Sequence, residues 1–210
     1  MSNPPASAHV GVRPHLANLA NLANLANLAN LANLGKSRVV VLFYLPDGDW
    51  PVHDISKTNK VIDELVEKYR EAGGEVIWVV HTGDTTSTKS SIAGSPLDCI
   101  PGMEPKGEEK FIVKAQGSSF AGTDLDGYLK AKGLKNIVLV GYQPQFCIIT
   151  TAVYGQHLGY RVFVVRDAIG SHNARSWDDK RNVSGNELVD SACDLLSDAM
   201  AVVVEAKDVQ

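Results

Sequence analysis

The sequence predicts an α/β fold, in which a parallel β-sheet carries helices on both faces. Apolar runs of strand length alternate with amphipathic segments, and these runs are as continuously apolar as buried parallel strands are. The chain of 210 residues is also long enough for one domain with a sizeable core, which we place at residues 37–210. The predicted strands span residues 38–45, 75–81, 109–115, 136–141, 161–168 and 201–206, and the predicted helices span 58–74, 123–133, 147–159 and 185–200.

The first half of the domain follows from its hydrophobic pattern. The run RVVVLFYL at 38–45 is typical of a buried strand, and EVIWVVH at 75–81 repeats that pattern. Between them, residues 58–74 place apolar side chains at helical spacing and stop at two glycines. A loop rich in Ser, Thr, Gly and Pro then extends to about Lys106.

The next three elements are shorter. The sequence EKFIVKA predicts a strand at 109–115, and NIVLVG predicts another at 136–141. The helix predicted between them, at 123–133, has Thr123 as its expected N-cap.

The last four elements repeat the alternation. Helical patterns at 147–159 and 185–200 are followed by apolar runs at 161–168 and 201–206. Right-handed crossovers between such strands bring their carboxyl ends to one edge of the sheet.

Residues 1–36 differ from the domain and form an N-terminal appendage. Six copies of a Leu-Ala-Asn triplet run from Leu16 to Leu34. A period of three drifts by about 60° per repeat around a helix, so the leucines do not form one apolar face. Both a tandem expansion without function and a self-association segment fit this pattern.

Composition and charge exclude several classes of function. The net charge of −4 disfavours a nucleic-acid partner, and no apolar run approaches the length of a membrane span. Three widely spaced cysteines, Cys99, Cys147 and Cys193, fit a reducing compartment better than a disulfide framework. Because the first residues also lack a secretory pattern, we expect a cytoplasmic protein, with unconventional export left open.

Ligands of open parallel sheets bind at the carboxyl ends of the strands. The residues predicted at those ends are Tyr44 to Asp47, His81, Lys114, the turn from Tyr142 to Cys147, and Asp167. Two of them, Lys114 and Cys147, could act together. A helix N-terminus and a nearby ammonium group both favour a thiolate, which is the nucleophilic form of cysteine. The alternatives are a buried small residue for Cys147 and a solvated surface side chain for Lys114.

The segment FIVKAQGSSFAGTDLDGYLKAKGLKNIVLVGYQPQFCIITTAVYGQHLGYRVFVVRDA, residues 111–168, resembles the isochorismatase-like cysteine hydrolases. It is similar to that family in its lysine segment, its Ser-x-Phe-x-x-Thr-x-Leu helix entry and its Gly-x-x-x-x-x-Cys turn. The resemblance covers most of 38–206. It implies a three-layer sandwich with a six-stranded parallel sheet, a homo-oligomer, an Asp–Lys–Cys triad and a cis peptide before the cysteine.

Carried over, Lys114 and Cys147 match the second and third members of the triad, and backbone amides near Gln143 and Cys147 would form the oxyanion site. The first member departs from the family, because Tyr44 stands where its aspartate belongs and the nearest carboxylate is that of Asp47. A tyrosine is a poor base for a thiol at neutral pH. Both Asp47 and Tyr44 therefore stay open as proton acceptors.

Other residues are candidates for the pocket or its surroundings. Gln143 and Tyr142 lie in the turn, where we expect them to contact substrate, and Trp50 and Phe120 are equally compatible with a pocket wall and with packing. Asp167 and His172 could be read as a catalytic dyad, but a turn carboxylate and a surface histidine are the simpler interpretation.

The family's nicotinamidase branch adds an Asp-x-His metal site after the second strand, whereas here Asp84 is followed by Thr86. We therefore expect no metal and no other cofactor. The leading hypothesis is hydrolysis of a C–N amide bond in a small-molecule substrate through a cysteine thioester. Two alternatives remain open: an impaired member that serves as a binding or assembly module, and vinyl-ether hydrolysis of isochorismate.

Overall fold

The computed structural model describes residues 38–42, 51–81 and 104–209, and for residues 38–42 it describes the backbone. The appendage at 1–36 and the candidates Tyr44, Asp47 and Trp50 lie outside these residues. The described strands are β1 Arg38–Leu42, β2 Glu75–His81, β3 Lys110–Lys114, β4 Asn136–Tyr142, β5 Arg161–Gly170, β6 Ala174–Arg175, β7 Asn182–Val183 and β8 Val202–Val204. The described helices are α1 Ile55–Glu71, α2 Leu125–Ala131, α3 Ile149–His157 and α4 Gly185–Ala199.

Six of these strands form one sheet in the order β3-β2-β1-β4-β5-β8, and every neighbouring pair is parallel. The α/β class and the parallel sheet are as the sequence predicts. Strand β1 lies in the middle of this order, with Leu42 paired to Val79 on one side and to Gly141 on the other. The carboxyl ends of β2, β3 and β4 therefore lie along the same edge.

Two apolar cores, one on each face of the sheet, account for the three layers. Alternate side chains of a strand point to opposite faces, so Val138 and Val140 pack with helix α1, whereas Ile137 and Leu139 pack with helices α2, α3 and α4. Helix α1 contributes a buried stripe, which consists of Ile62, Leu65, Val66 and Tyr69. Burying each large aliphatic side chain contributes about 1.5–3 kcal/mol, which is the main stabilisation of this arrangement.

The start of helix α4 shows how local sequence defines an element. Ser184 accepts a hydrogen bond from the N–H of Glu187 at 3.1 Å, and the Glu187 carboxylate accepts one from the N–H of Ser184 at 2.8 Å. This reciprocal capping satisfies two donors that the first turn would otherwise leave without partners. The helix begins at Gly185, where the hydrophobic pattern also predicts it.

Some boundaries differ from those predicted. Helix α1 begins at Ile55, three residues before the predicted start, because the carbonyl of Asp54 accepts the N–H groups of Lys57 and Thr58. The antiparallel hairpin of β6 and β7 is not predicted at all, because strands of two residues carry no periodic signal. Across the described ranges, no helix is long and apolar enough to span a membrane.

Candidate functional site

The site is built at the edge of the sheet where β2, β3 and β4 end. Strands β2 and β3 are in register with His81 opposite Lys114, the last residue of each strand. Strand β4 ends at Tyr142 and leads directly into the turn that carries Cys147. Three side chains that are distant in sequence are thus brought to one place by strand register.

The turn after β4 has an unusual backbone. The peptide bond between Tyr142 and Gln143 is cis, as the resemblance implies. A π-helical turn, Pro144–Ile148, follows and continues into helix α3. The helical segment therefore begins at Pro144, not at Cys147 as the sequence predicts, and proline suits such a first position because it has no N–H to leave unpaired.

The π-helical turn affects the amide group of Cys147. The carbonyl of Gln143 accepts hydrogen bonds from the N–H groups of Phe146 at 3.1 Å and Ile148 at 3.2 Å. In an α-helix this carbonyl would accept the N–H of Cys147 instead. The wider turn thus directs the bond to Ile148, so the Cys147 N–H can serve another acceptor.

Lys114 is a buried ammonium group aimed at the sulfur of Cys147. Its side chain is only 3% exposed, and its Nζ lies 3.0 Å from Cys147 Sγ. The same Nζ donates to the carbonyl oxygens of Gln116 at 2.9 Å and Gly117 at 2.7 Å. An ammonium has three N–H donors, and acceptors of this kind are what allow a charged lysine to be buried. The positive charge is therefore held next to the half-buried thiol.

His81 is the third member of this cluster; the sequence places it at a strand end but assigns it no role. Its Nδ1 lies 3.5 Å from Lys114 Nζ. Partial burial and the positive charge of Lys114 lower the pKa of the His81 imidazole, although the nearby carbonyl of Gln116 acts in the opposite direction. The ring is therefore neutral at pH 7. Its place at the end of β2 was the available signal.

A polar cluster surrounds the side chain of Gln143 on the other side of the turn. Gln143 is 3% exposed, and its Oε1 accepts hydrogen bonds from Ser171 Oγ at 3.0 Å and from the backbone N–H of His172 at 3.2 Å. The Nδ1 of His172 lies 2.9 Å from the same oxygen and 3.4 Å from Nε2 of Gln145, so the ring tautomer decides which of the two groups it binds. Ser171 Oγ also lies 2.9 Å from Gln145 Oε1. The cluster links the turn to the end of β5.

The Nε2 of Gln143 is buried and has no hydrogen-bond partner among the described residues. Burial lowers the pKa of His172, which keeps its ring neutral at pH 7. His172 is thus partly buried in this cluster and is not the surface histidine that the sequence suggested. Asp167 instead accepts a hydrogen bond from the N–H of Ala206 at 2.8 Å, so the structure does not pair it with His172.

Two candidate pocket residues lie in the cores. Tyr142 is 1% exposed and packs on the α1 face, where its hydroxyl donates to Asn59 Oδ1 at 2.5 Å. Burial raises the pKa of its phenol. Phe120 is 7% exposed and stacks on Tyr160 with the ring centroids 5.5 Å apart. Both rings therefore support the edge of the sheet from within, and neither lies at the entrance.

The described residues also include a second cysteine and other side chains of the types that can bind a metal. Cys193 is buried in the core, where burial raises the pKa of its thiol to about 11. Among the residues that the structure describes, no group of three or more His, Cys, Asp or Glu side chains could hold a metal ion.

Comparison with known proteins shows the family to which the sequence is similar. Residues 38–206 match the family model described as the isochorismatase domain. A secreted isochorismatase effector, Isc1, of Verticillium dahliae is 32% identical over 171 residues, which are 78% of this chain and 83% of the relative. The ureidoacrylate amidohydrolase RutB of Acinetobacter baylyi is 27% identical over 146 residues, which are 55% of this chain and 60% of the relative.

Solved structures share the fold. A cysteine hydrolase from Pseudomonas syringae pv. phaseolicola superposes with a TM-score of 0.75 at 21% sequence identity. The match covers 84% of this chain and 92% of that one. The likeness in fold therefore extends over nearly the whole domain.

Proposed function

This chain belongs to the isochorismatase family of hydrolases, and from that premise we propose that it cleaves a C–N amide bond of a small molecule through a thioester on Cys147. The observation that carries the proposal is the 3.0 Å contact between Lys114 Nζ and Cys147 Sγ. A full positive charge at that distance from a half-buried sulfur stabilises a thiolate. A thiolate is the nucleophile that amide cleavage through a thioester needs.

In the first half of the reaction, Sγ attacks the carbonyl carbon of the substrate and a C–S bond forms. The carbonyl oxygen becomes an oxyanion, which the N–H groups of Cys147 and Gln143 are proposed to bind. Collapse of this intermediate breaks the C–N bond, and the departing nitrogen takes up a proton. The N–H of Cys147 suits this role because, in the π-helical turn, the carbonyl of Gln143 accepts a hydrogen bond from the N–H of Ile148 instead.

The proton of the thiol needs an acceptor during this half. We assign that role to Asp47 or Tyr44, which follow β1 in the chain and replace the aspartate that the family places there. The acceptor then returns the proton to the leaving nitrogen. Asp47 is the better base of the two, because a carboxylate is ionised at pH 7 and a phenol is not.

The walls of the pocket are part of the same proposal. We assign substrate contact to Gln143 and Trp50, and we assign to Tyr142 and Phe120 the support of the site from the two cores. Gln143 suits its role because its buried Nε2 can donate to an oxygen of the substrate. The amidohydrolase activity in the name of the Acinetobacter relative supports cleavage of a C–N bond.

Isochorismate hydrolysis is the second candidate. The relative from Verticillium dahliae is called an isochorismatase effector, and it is more similar to this chain than the amidohydrolase is. This reaction uses an acid that protonates the vinyl ether and does not need the cysteine. The two candidates therefore differ in their dependence on Cys147.

A substrate panel tests both candidates. Wild-type protein and the Cys147→Ser variant are incubated with isochorismate and with small primary amides and ureido acids, and products are followed by mass spectrometry. Release of ammonia from an amide by the wild type and not by the variant supports the proposal. Isochorismate turnover that survives in Cys147→Ser supports the second candidate. A chain that binds these ligands without turning any over is a binding module, and this outcome contradicts both.

The proposal also covers the cellular location and the oligomeric state of the protein. We place the chain in the cytoplasm as a homo-oligomer, without a nucleic-acid partner. The word "secreted" in the name of the Verticillium relative supports the contrary location. Immunodetection in cell extract and in culture medium decides the first point, and light scattering at two protein concentrations decides the second.

A further inference from the structure

We propose that His81 is the general base that activates water for the second half of the reaction, in which the thioester on Cys147 is hydrolysed. This inference rests on the proposed function, because it requires an acyl group on the sulfur. It concerns a residue that the Asp–Lys–Cys triad leaves out. The geometry of three side chains, His81, Lys114 and Cys147, carries it.

His81 Nδ1 lies 3.5 Å from Lys114 Nζ, and Nζ lies 3.0 Å from Cys147 Sγ, so Nδ1 is no more than 6.5 Å from the sulfur. A water molecule hydrogen-bonded to a base at about 2.8 Å attacks a carbonyl carbon from about 3 Å. The upper limit of 6.5 Å is compatible with one water molecule between the imidazole and an acyl carbon attached to Sγ.

The contact with Lys114 favours one tautomer of the His81 ring. An N–H on Nδ1 would face the ammonium N–H groups, so electrostatics favours the tautomer whose bare Nδ1 points towards Lys114. At 3.5 Å this contact is longer than a normal hydrogen bond, and Nζ has closer acceptors in the carbonyls of Gln116 and Gly117. The imidazole is therefore not needed to hold the ammonium and keeps a lone pair at the site.

The protonation state of His81 also suits a base. Lys114 on β3 lies next to the ring, and Cys147 on the turn lies next to Lys114. Burial and the charge of Lys114 lower the pKa of His81, so the ring is a neutral base at pH 7. Lys114 cannot take this role while it is an ammonium, since it has no lone pair.

Hydrolysis of the thioester proceeds by addition of water and loss of the thiolate. The water oxygen forms a bond to the acyl carbon while one of its protons passes to Nδ1, and the carbonyl electrons move to the oxygen. When this intermediate collapses, the C–S bond breaks and its electron pair returns to Sγ as a thiolate beside the Lys114 ammonium. The product is a carboxylic acid, which ionises at pH 7, and the imidazolium gives its proton to solvent.

The test separates acylation from hydrolysis. p-Nitrophenyl acetate releases coloured p-nitrophenolate when it acylates a thiolate, and intact-mass spectrometry reports the acetyl group on the protein. We expect the wild type to turn over, and His81→Asn and His81→Gln to keep the burst while acetyl-Cys147 is hydrolysed about a hundredfold more slowly. His53→Asn is the control, because His53 is exposed beside Asp54.

Hydroxylamine distinguishes a base from a purely structural role. It is a strong nucleophile that needs no general base, so it should cleave acetyl-Cys147 at similar rates in wild type and in His81→Asn. If acetyl-Cys147 is hydrolysed by water equally fast in both proteins, or if hydroxylamine is slowed as much as water is, the inference is wrong. If neither the wild type nor the His81 variants release p-nitrophenolate or form an acetyl adduct on Cys147, the proposed function fails instead.

Discussion

The ammonium of Lys114 and the sulfur of Cys147 lie 3.0 Å apart, although 33 positions separate the two residues in the chain. The lysine ends β3 and the cysteine follows β4, with β2 and β1 between those strands in the sheet. The contact therefore depends on four strands being in register. It is the feature on which the proposed chemistry depends.

We predict that Lys114→Met slows alkylation of Cys147 by iodoacetamide at pH 7 about tenfold, because methionine keeps the bulk of the side chain and removes the charge that stabilises the thiolate. Peptide mapping after timed labelling measures the rate at each cysteine. Cys193 should stay unlabelled, because burial raises its thiol pKa to about 11.

The control for this experiment is Lys110→Met, which removes a charge from the same strand. Lys110 is the first residue of β3, at the opposite end of the strand from Lys114, and it forms an ion pair with Asp124 at 2.5 Å. Alkylation of Cys147 should keep its wild-type rate in this variant. Equal rates in wild type and in Lys114→Met would contradict the electrostatic account.

The Gln143 cluster should be sensitive to loss of its hydroxyl group. Ser171 is 2% exposed, and its hydroxyl lies within hydrogen-bond distance of Oε1 of both Gln143 and Gln145, so Ser171→Ala removes the one donor that these two oxygens share. We expect the free energy of unfolding to fall by about 1–3 kcal/mol in urea denaturation. Ser197→Ala, on the exposed surface of α4, should change it by less than about 0.5 kcal/mol. If the two substitutions lower the free energy of unfolding by similar amounts, the hydrogen bond from Ser171 does not stabilise the cluster.

The lowered pKa of the Glu109 carboxyl makes the free energy of unfolding depend on pH. Burial raises the pKa of its carboxyl, but hydrogen bonds from Arg70, from the N–H of Lys106 and from Trp78 outweigh it, so the pKa is lowered on balance. A lowered folded-state pKa stabilises the protein at pH values above the ordinary glutamate value. This contribution is lost as the pH falls through the folded-state pKa.

We therefore expect Glu109→Gln to lower the free energy of unfolding at pH 7 by about 1.5–3 kcal/mol, which is typical of hydrogen bonds to a charged group. The gap between wild type and variant should shrink as urea titrations move from pH 7 to acidic pH. Glu64→Gln is the control, because the pair that the structure shows for Glu64 is an exposed one with Lys60 at 3.9 Å. A gap that stays constant with pH would show that the charge of Glu109 does not matter.

Alanine substitutions at two glycines should change the Tm in opposite directions. A Cβ on Gly185 would lie 2.4 Å from the carbonyl oxygen of Ser171, so Gly185→Ala must displace backbone beside the Gln143 cluster. Gly127, on the exposed face of α2, has no atom within 4 Å of its added Cβ, and alanine is the better helix former by about 0.5–1 kcal/mol. Thermal unfolding should show a lower Tm for Gly185→Ala and a higher Tm for Gly127→Ala. Equal or reversed shifts would contradict the close approach of Gly185 to Ser171.

Hydrophobic periodicity was enough to predict the class of fold and the main elements of the sheet. An apolar run such as 136–141 defines a buried strand by its own composition, and the alternation of such runs with helical patterns leads to a parallel sheet. Because parallel strands end at a common edge, the sequence also singled out Lys114 and Cys147. These inferences need only local patterns and one rule of topology.

The tertiary structure decided what the local pattern could not encode. The pairing of His81 with Lys114 depends on the register of β2 against β3, and the contacts of Gln143 with Ser171 and His172 depend on where β5 ends. The burial of Tyr142 is likewise a property of the assembled core. Side chains distant in the chain meet only after the strands pack, and sequence periodicity contains no information about those through-space distances.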